Sequence, residues 1–571
     1  MKKITDMSHN NNPLQTMQPL FAALLFVASP LAAQTASPVV PGAGGILQQI
    51  APLSAPAPSP SGTGLTIEPA DGTELPPSAP FLVQSIQITG NTLFDTAALH
   101  ALVADAQGQR LTLAQLGELA AKITSYYQNN DYPLARAIIP AQTIASGIVR
   151  IEVIEASYGK ISLDNRSRVN DALLQAILAP LQSGQVIAQS GLDDALLLVS
   201  DIAGIVTSAV LKPGQVVGTS DLLVNTTPGP AVTGSGVLDN NGDQYTGRAR
   251  ISGTVNFINP LQRGDVLSVS GLSSGSGLSY GRLGYETMLN EQGTRLGGAY
   301  SALRYALGEP LAALKANGSA RVTSLWAKHP LLRSRDTNLY GQLQFDGLQL
   351  RDHLDASAIK TDRDLENWTL SLAGDARDAL LSGGINTWSL AWTTGRVGFG
   401  NVAAQLADAE SVGTQGRFSK WNANLTRLQS LSPKSDLYFA FSGQWAKTNL
   451  DGSQKVIVGG PYSVRAYDTG ALSGDTAYLA TAELRHALGT AWGWQWQAVA
   501  FVDTERVTVN KNAWVAGKNT ANLSGAGVGL NWTGPQQWRV KTYIATRLGT
   551  APTLVASSPS TSVWIELTGG F

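Results

Sequence analysis

The chain has 571 residues, 43% of them hydrophobic, too many for one small domain and too apolar for a disordered protein. Lys plus Arg (40) and Asp plus Glu (41) nearly cancel, and charged residues are only 14% of the chain against the ~25% usual in soluble proteins, so nothing supports nucleic-acid binding. The absence of cysteine excludes disulfides and fits export through an oxidising compartment without them.

Lys2 and Lys3, the apolar run Leu20 to Val27 and the small-residue tract Ala28 to Ala33 follow the order of a secretory signal, expected over residues 1–33. The apolar run is shorter than the ~18–20 residues that cross a bilayer as a helix. No other segment comes closer, so any membrane crossing must be made by strands. Residues 34–53 hold a short helix with Ile46, Leu47 and Ile50 on one side, expected to plug a pore. Residues 54–80, with Pro56, Pro58, Pro60, Pro69, Pro76, Pro77 and Pro80, read as an extended and mobile linker that leaves this helix tethered rather than integrated.

Folded structure is expected from Phe81. Alternating Leu82, Ile86 and Ile88 run to a Gly90-Asn91 turn, as in a strand. One helix is predicted after Asp95 and a second after Thr112, through Leu116, Leu119, Ile123 and Tyr127. Strands follow at Ala135 to Ile139 and Ile148 to Ile154, making a small α/β module over 81–156. Residues 157–229 repeat the plan, with a strand at Tyr158 to Leu163, helices at Asn170 to Leu178 and Leu192 to Ile202, and strands at Val206 to Leu211 and Asp221 to Asn225.

From 230 to 571 the pattern is strands and turns. Trp388, Leu390 and Trp392 share a face, as do Leu437, Phe439 and Phe441, while Trp538, Val540 and Ile544 oppose Arg539, Lys541 and Tyr543. Such alternation puts apolar side chains toward lipid and polar ones toward a wet lumen, and the Trp and Tyr near strand ends fit a membrane boundary better than a soluble sandwich. The fold expected is a membrane β-barrel preceded by two α/β modules. At ~10 residues per strand, well over a dozen strands fit.

The line Tyr126-Tyr127-Gln128-Asn129-Asn130-Asp131-Tyr132-Pro133-Leu134-Ala135-Arg136 resembles the helix-to-strand signature of an activator-type POTRA domain. Such domains receive client polypeptide as a strand added to a sheet edge, where unpaired N–H and C=O groups are offered to any extended chain. On this resemblance Tyr132, Arg136 and Ile138 are the client-binding candidates. Asn240-Asn241-Gly242 and Asn259-Pro260-Leu261-Gln262-Arg263-Gly264-Asp265 resemble the first barrel hairpin of two-partner secretion transporters of the TpsB type, with Gln262 where a further Gly is usual. Val464-Arg465-Ala466-Tyr467, within an inward-folded loop over 459–475, resembles the sixth-loop motif of that superfamily. Phe501-Val502-Asp503 resembles its wall motif, with Ala466 and Glu505 where Gly is common. The resemblance implies about 16 antiparallel strands and an Arg465–Asp503 pair flanked by Val464, Tyr467 and Phe501. A guanidinium and a carboxylate can share two parallel hydrogen bonds, which would latch loop to wall. The period-two ending Val563, Ile565, Leu567, Gly569, Phe571 looks like the insertion signal read by the barrel assembly machinery, with Phe571 as its last residue.

Enzymatic readings find no support in the sequence. Gly271-Leu272-Ser273-Ser274-Gly275 spells a nucleophile elbow, but in a Gly/Ser-rich stretch between strands instead of at a strand-to-helix corner. No phosphate loop follows Gly159-Lys160 or Gly517-Lys518. His9, His100, His329, His353 and His486 lack paired ligand spacing, so neither metal nor cofactor is expected. The resemblance implies a transporter in the outer membrane, with its α/β modules in the periplasm, surrounded by lipid and secreting an unfolded TpsA-type exoprotein such as an adhesin or a cytolysin. No nucleotide drives this transport, so folding of the client outside would give it direction. An assembly factor of the same superfamily and a passive porin are the alternatives. The Pro-rich leader and two modules count against the first, and a porin needs no periplasmic modules.

Overall fold

A computed structural model describes residues 40–50, 59–68, 76–144, 146–555 and 559–571. The expected signal, 1–33, lies outside them. Helix α1 (Ala43–Ile50) and strand β1 (Leu65–Ile67) precede the first α/β module.

In that module, β2 (Phe81–Leu82) pairs with β4 (Arg110–Leu111), and β3 (Ser85–Thr89), β5 (Arg136–Ile138) and β6 (Ile148–Ile154) form a sheet in the order β3-β6-β5. Helix α2 (Thr96–Ala101) starts where Asp95 accepts the Ala97 N–H at 3.1 Å. Helix α3 (Leu113–Asn129) starts with a reciprocal capping box between Thr112 and Gln115. The buried residues of α3, Leu116, Leu119, Ala120, Ile123 and Tyr127, recur at helical spacing and cover Ile86, Ile88, Val149, Ile151 and Val153 of the sheet. Each such buried side chain contributes roughly 1.5–3 kcal/mol. Glu155 then staples the turn before α2 to α3. It accepts the N–H groups of Thr92 (2.7 Å) and Leu93 (2.9 Å), the Thr92 hydroxyl, and the Tyr127 hydroxyl at 2.7 Å. Burial works to raise the Glu155 carboxyl, but these donors outweigh it and hold it below its ordinary value. Burial, with Glu155 opposite, pushes the Tyr127 phenol up.

The second module contains β7 (Ser157–Asn165), α4 (Asp171–Leu178), α5 (Gln189–Ser200), β8 (Ile205–Pro213) and β9 (Thr219–Pro228). Its sheet order is β1-β8-β9-β7. Strand β1 belongs to the predicted linker, and it pairs parallel to β8 from Leu65↔Ala209 to Ile67↔Leu211. The expectation of a mobile tether over 54–80 is therefore wrong for its middle. The free edge of β8 offers ladder partners, and Leu65 packs against the module's apolar core, so a short Leu-Thr-Ile stretch between prolines docks. Residues 51–58 and 69–75 of that region lie outside the described residues.

The two modules are joined at the N-terminus of α5, whose own N-cap residue, Ala188, makes no side-chain cap. Asp131 of the first module takes that place. Its carboxylate accepts the Ser190 N–H (2.9 Å) and hydroxyl (2.5 Å), and its carbonyl accepts the Gln189 N–H at 2.8 Å. Asp131 has a left-handed backbone (φ 79°), which turns the chain so that Leu134 reaches the second module's core.

The barrel is one closed antiparallel sheet. Its first strands are β10 (Val232–Asp239), β11 (Arg250–Ile258), β12 (Val266–Ser273), β13 (Leu278–Met288), β14 (Arg295–Ala306), β15 (Ala316–Arg333), β16 (Thr337–Leu354) and β17 (Ile359–Asp378). Then come β18 (Gly384–Phe399), helix α6 (Val402–Ala409), β19 (Gly416–Ser432) and β20 (Ser435–Ala446). A small inner hairpin of β21 (Val456–Val458) and β22 (Leu472–Gly474) follows, and β23 (Thr476–Ala491), β24 (Trp494–Thr508), β25 (Thr520–Thr533), β26 (Arg539–Arg547) and β27 (Thr561–Gly570) complete the wall. Without the inner hairpin the ring has sixteen strands, closed by β27 against β10. Leu390, Trp392, Leu437, Phe439, Trp538, Ile544, Val563 and Ile565 are all exposed on the outer face, as the alternation predicts. Phe571 exchanges two backbone hydrogen bonds with Gly234, both 3.0 Å, at the periplasmic end of the seam. Gln262 adopts the left-handed conformation (φ 62°) in its turn, which explains why glycine suits that position.

Candidate functional site

The segment between β20 and β23 folds into the lumen, and its tip is fixed by Arg465. The Arg465 Nε and Nη2 donate to the two oxygens of Asp503 at 2.8 and 2.7 Å, and Nη1 donates to Glu483 at 2.6 Å. The backbone N–H of Arg465 also donates to Asp503 (3.1 Å), and the Trp564 indole donates to the Arg465 carbonyl (2.7 Å). The guanidinium lies 3.4 Å from the Phe501 ring centroid and 5.3 Å from that of Tyr543. Arg465 and Asp503 are both buried, as are Val464, Ala466 and Tyr467, so the geometry is that of a dry, bidentate, charge-assisted pair.

Both departures from the usual loop and wall spelling have a structural counterpart. A side chain on Gly525 would stand 2.5 Å from the Ala466 methyl, so the bare backbone of β25 makes the room that Ala466 occupies. Glu505 accepts the Ser463 hydroxyl from the wall, a second polar tie on the same loop. Farther along, Asp468 pairs with Arg248 at 2.8 Å and the Thr469 hydroxyl donates to the Asn241 carbonyl at 2.9 Å, linking the sixth loop to the first.

Helix α1 lies inside the barrel, in its extracellular half, against β14, β15, β16 and β21. Ala43 and Ile46 are fully buried among lumen-facing residues that include Leu278, Leu303, Tyr305 and Leu350. The Ala43 N–H donates to Asp352 (2.7 Å), a carboxylate at a helix N-terminus, and the Gln48 side chain donates to the Ser453 carbonyl (2.6 Å). Arg363 bridges Asp352 and Asp451, so the helix seat and the base of the sixth loop share one cation. Any side chain on Gly44 would meet the Ser453 backbone at 2.6 Å.

At the periplasmic end, Arg333 donates to both oxygens of Asp201 in the second module at 2.8 Å, and Arg335 pairs with Asp193 at 2.6 Å. Here too sits Ser59, the first described residue after α1. Its N–H (2.9 Å) and hydroxyl (2.6 Å) donate to Asp375.

The loop residues predicted from sequence, Val464, Arg465, Tyr467, Phe501 and Asp503, are thus brought together. The client-binding candidates are not. Tyr132 is half-buried in an aromatic cluster, 5.8 Å from Phe94 and 6.3 Å from Tyr127 by ring centroids. Arg136 and Ile138 are exposed on β5, the edge strand of the first module. Sequence reasoning missed Glu483, Tyr543 and Trp564. The signal for Glu483 was its parity with Thr481, the cross-strand partner of Asp503, which puts it on the same lumen face one pair away.

The family model described as haemolysin secretion/activation protein ShlB/FhaC/HecB matches residues 218–532, and the ShlB-type POTRA domain matches residues 81–156. The chain is 27% identical over 448 residues to the heme/hemopexin transporter protein HuxB of Haemophilus influenzae (strain 86-028NP), covering 77% of this chain and 78% of the relative. It is 24% identical over 489 residues to the outer membrane transporter CdiB of Escherichia coli, covering 82% and 79% respectively. The solved structure of CdiB from Escherichia coli superposes with a TM-score of 0.66 at 22% identity, over 90% of this chain and 94% of the other. The plugged sixteen-strand barrel, the latched sixth loop and these matches give one result: the chain belongs to the ShlB/FhaC/HecB haemolysin secretion/activation family and is an outer-membrane transporter of the two-partner secretion type, with its POTRA region in the periplasm.

Proposed function

We propose that this transporter receives an unfolded TpsA-type exoprotein, an adhesin or a cytolysin, at the edge strand β5 of its first POTRA module and passes it through the lumen once α1 has left. The observation that carries this reading is the seat of α1. A short helix from the leader, neutral in its own side chains, occupies the outer half of the lumen on an apolar patch that includes Leu303 and Leu350, and the next described residue, Ser59, lies at the periplasmic mouth. An object held by a few hydrogen bonds from uncharged donors and limited apolar area, with no ion pair of its own, is one that can be displaced.

Arg136 and Ile138 on β5 present an extended, half-apolar rim where an incoming chain adds as a strand once it takes the Ala137 N–H from the Thr124 hydroxyl, which accepts it at 2.9 Å. In this reading the protein is a conduit and not a catalyst. It uses no cofactor, and direction comes from client folding outside. Phe571 serves insertion by the barrel assembly machinery. The test is secretion. The product of an adjacent exoprotein gene should reach the medium only when this chain is present, and substituting Ile138→Asp should reduce that release while the barrel still inserts. Release that is independent of the chain would refute the reading.

A further inference from the structure

Outside the latch and the plug, a polar cluster lies at the periplasmic mouth, where three separate parts of the chain meet around Arg333. Its side chain is 1% exposed. It donates to both oxygens of Asp201 at the end of POTRA helix α5, to the Asn338 side chain (2.9 Å) in the barrel wall, and to the Pro60 carbonyl (2.9 Å) in the linker. Arg377 repeats the arrangement two strands over, on β17. It donates to the Ser59 carbonyl (2.6 Å), to Asp375 (3.2 Å) and to the carbonyl of Arg335, itself the partner of Asp193 on α5. Arg295 adds a donation to the Asp201 carbonyl.

Two of the acceptors in this cluster are linker carbonyls, and they are present only while residues 59 and 60 stay at the mouth. A buried guanidinium deprived of an acceptor is left with unsatisfied donors, so the arrangement has one favoured state with the linker seated and another, reorganised, with it gone. Beside the cluster is a cavity of about 370 Å³ walled by Ser59 and Pro60 on one side and by Leu198 and Asp201 of α5 on another. Its remaining wall is barrel side chains on the lumen-facing parity, among them Glu286, Lys328, Tyr340 and Asp375, so the cavity lies in the mouth of the lumen at the place where the second module is fastened.

We propose that Arg333 and Arg377 form a clasp that couples the seating of the plug's linker to the docking of the second POTRA module on the barrel. With the linker seated, Arg333 holds α5 against the mouth. When α1 leaves and carries residues 59 and 60 with it, the clasp loses its linker acceptors and the module is released to swing. By reciprocity, an outward swing of the module weakens the seat of the plug by the same factor. The proposal rests on the transport reading but assigns a different event, communication between plug and module before any client crosses.

The chain has no native cysteine, so engineered ones report alone. In the full-length protein in lipid vesicles, spin labels on Val216→Cys of the second module and Leu381→Cys of a periplasmic turn give the module-to-barrel distance distribution; both native side chains are exposed. Separately, Gly45→Cys, where an added Cβ meets nothing within 4 Å, reports loss of the plug by its rate of reaction with a bulky thiol reagent. Arg333→Gln should broaden the distance distribution and speed labelling at position 45 by at least about fivefold, the lower end of couplings between sites. Deleting residues 42–60 should broaden the distribution in the otherwise native chain and add nothing in the Arg333→Gln background. If Arg333→Gln fails to give a heat-modifiable barrel, Asp201→Asn takes its place with the same expectations. An unchanged distribution on deletion of 42–60, or a broadened one with no change in labelling, overturns the coupling. Secretion is not the readout, so these outcomes leave the transport reading standing.

Discussion

Two objects share the lumen, and they are held there in different ways. The sixth loop is attached at both ends and pinned by a buried arginine with two carboxylates, two aromatic rings and an indole on it. Helix α1 is held by uncharged donors to the carboxylates of Asp352 and Asp243 and to the Ser453 carbonyl, and by the burial of Ala43 and Ile46. Removing the loop from the wall separates buried ion pairs, while removing the helix breaks hydrogen bonds from uncharged donors and separates no ion pair. The difference teaches that the two are held with unequal strength: the loop is fastened to the wall by ion pairs, and the helix is not.

The largest expected effect comes from breaking the pinned side. Arg465→Ala leaves Asp503 and Glu483 buried without their shared cation, a loss of about 3–5 kcal/mol. The heat needed to convert the compact form to the unfolded form on a detergent gel should fall sharply, and Arg465→Lys, which keeps charge but loses the fork, should fall between. A normal transition temperature for Arg465→Ala would erase the distinction between loop and helix.

Deleting residues 42–53 should next raise single-channel conductance while leaving that heat transition within a few degrees of native, because the latch is untouched. Unchanged conductance would mean α1 does not obstruct the pore. A finer version is Gly44→Val, which drives a side chain into the Ser453 backbone and should raise the fraction of time the channel is open without deleting anything.

The smallest effect is in the first POTRA module, away from the lumen. Because the Glu155 carboxyl is held below its ordinary value, its contribution is present above the unfolded-state pKa and is lost as pH falls through the lower folded value. Glu155→Gln should cost about 1–2 kcal/mol at neutral pH. It should also flatten the acid dependence of protease resistance in this module, with the barrel unaffected. An unaltered acid profile would place the sensitivity elsewhere.

Much of this was legible in the chain. Alternation in Trp388 to Trp392 and Leu437 to Phe441 depends only on local geometry, and Asp95 and Thr112 are caps by their chemistry, so barrel walls and helix starts could be read directly. The Arg465–Asp503 pair was legible only through resemblance, since no local pattern brings residues of the loop and of β24 together. Contacts that depend on what the folded barrel encloses escaped. The linker reads as disordered by composition, yet Leu65 and Ser59 find an edge and a carboxylate that exist only after the sheet and the mouth have formed. Tyr132 became a client-binding candidate through resemblance alone, and only the third dimension shows its ring against that of Phe94.

The borrowed cap on α5 also bears on how the periplasmic arm is made and inherited. A helix whose first turn is completed by a neighbour's aspartate cannot mature on schedule by itself, so the second POTRA module is a dependent of the first despite having a core of its own. Shuffling such modules between transporters would have to move Asp131 and Ser190 together. A graft that carried only one of them would leave the receiving arm frayed at its elbow, whatever the quality of each half alone.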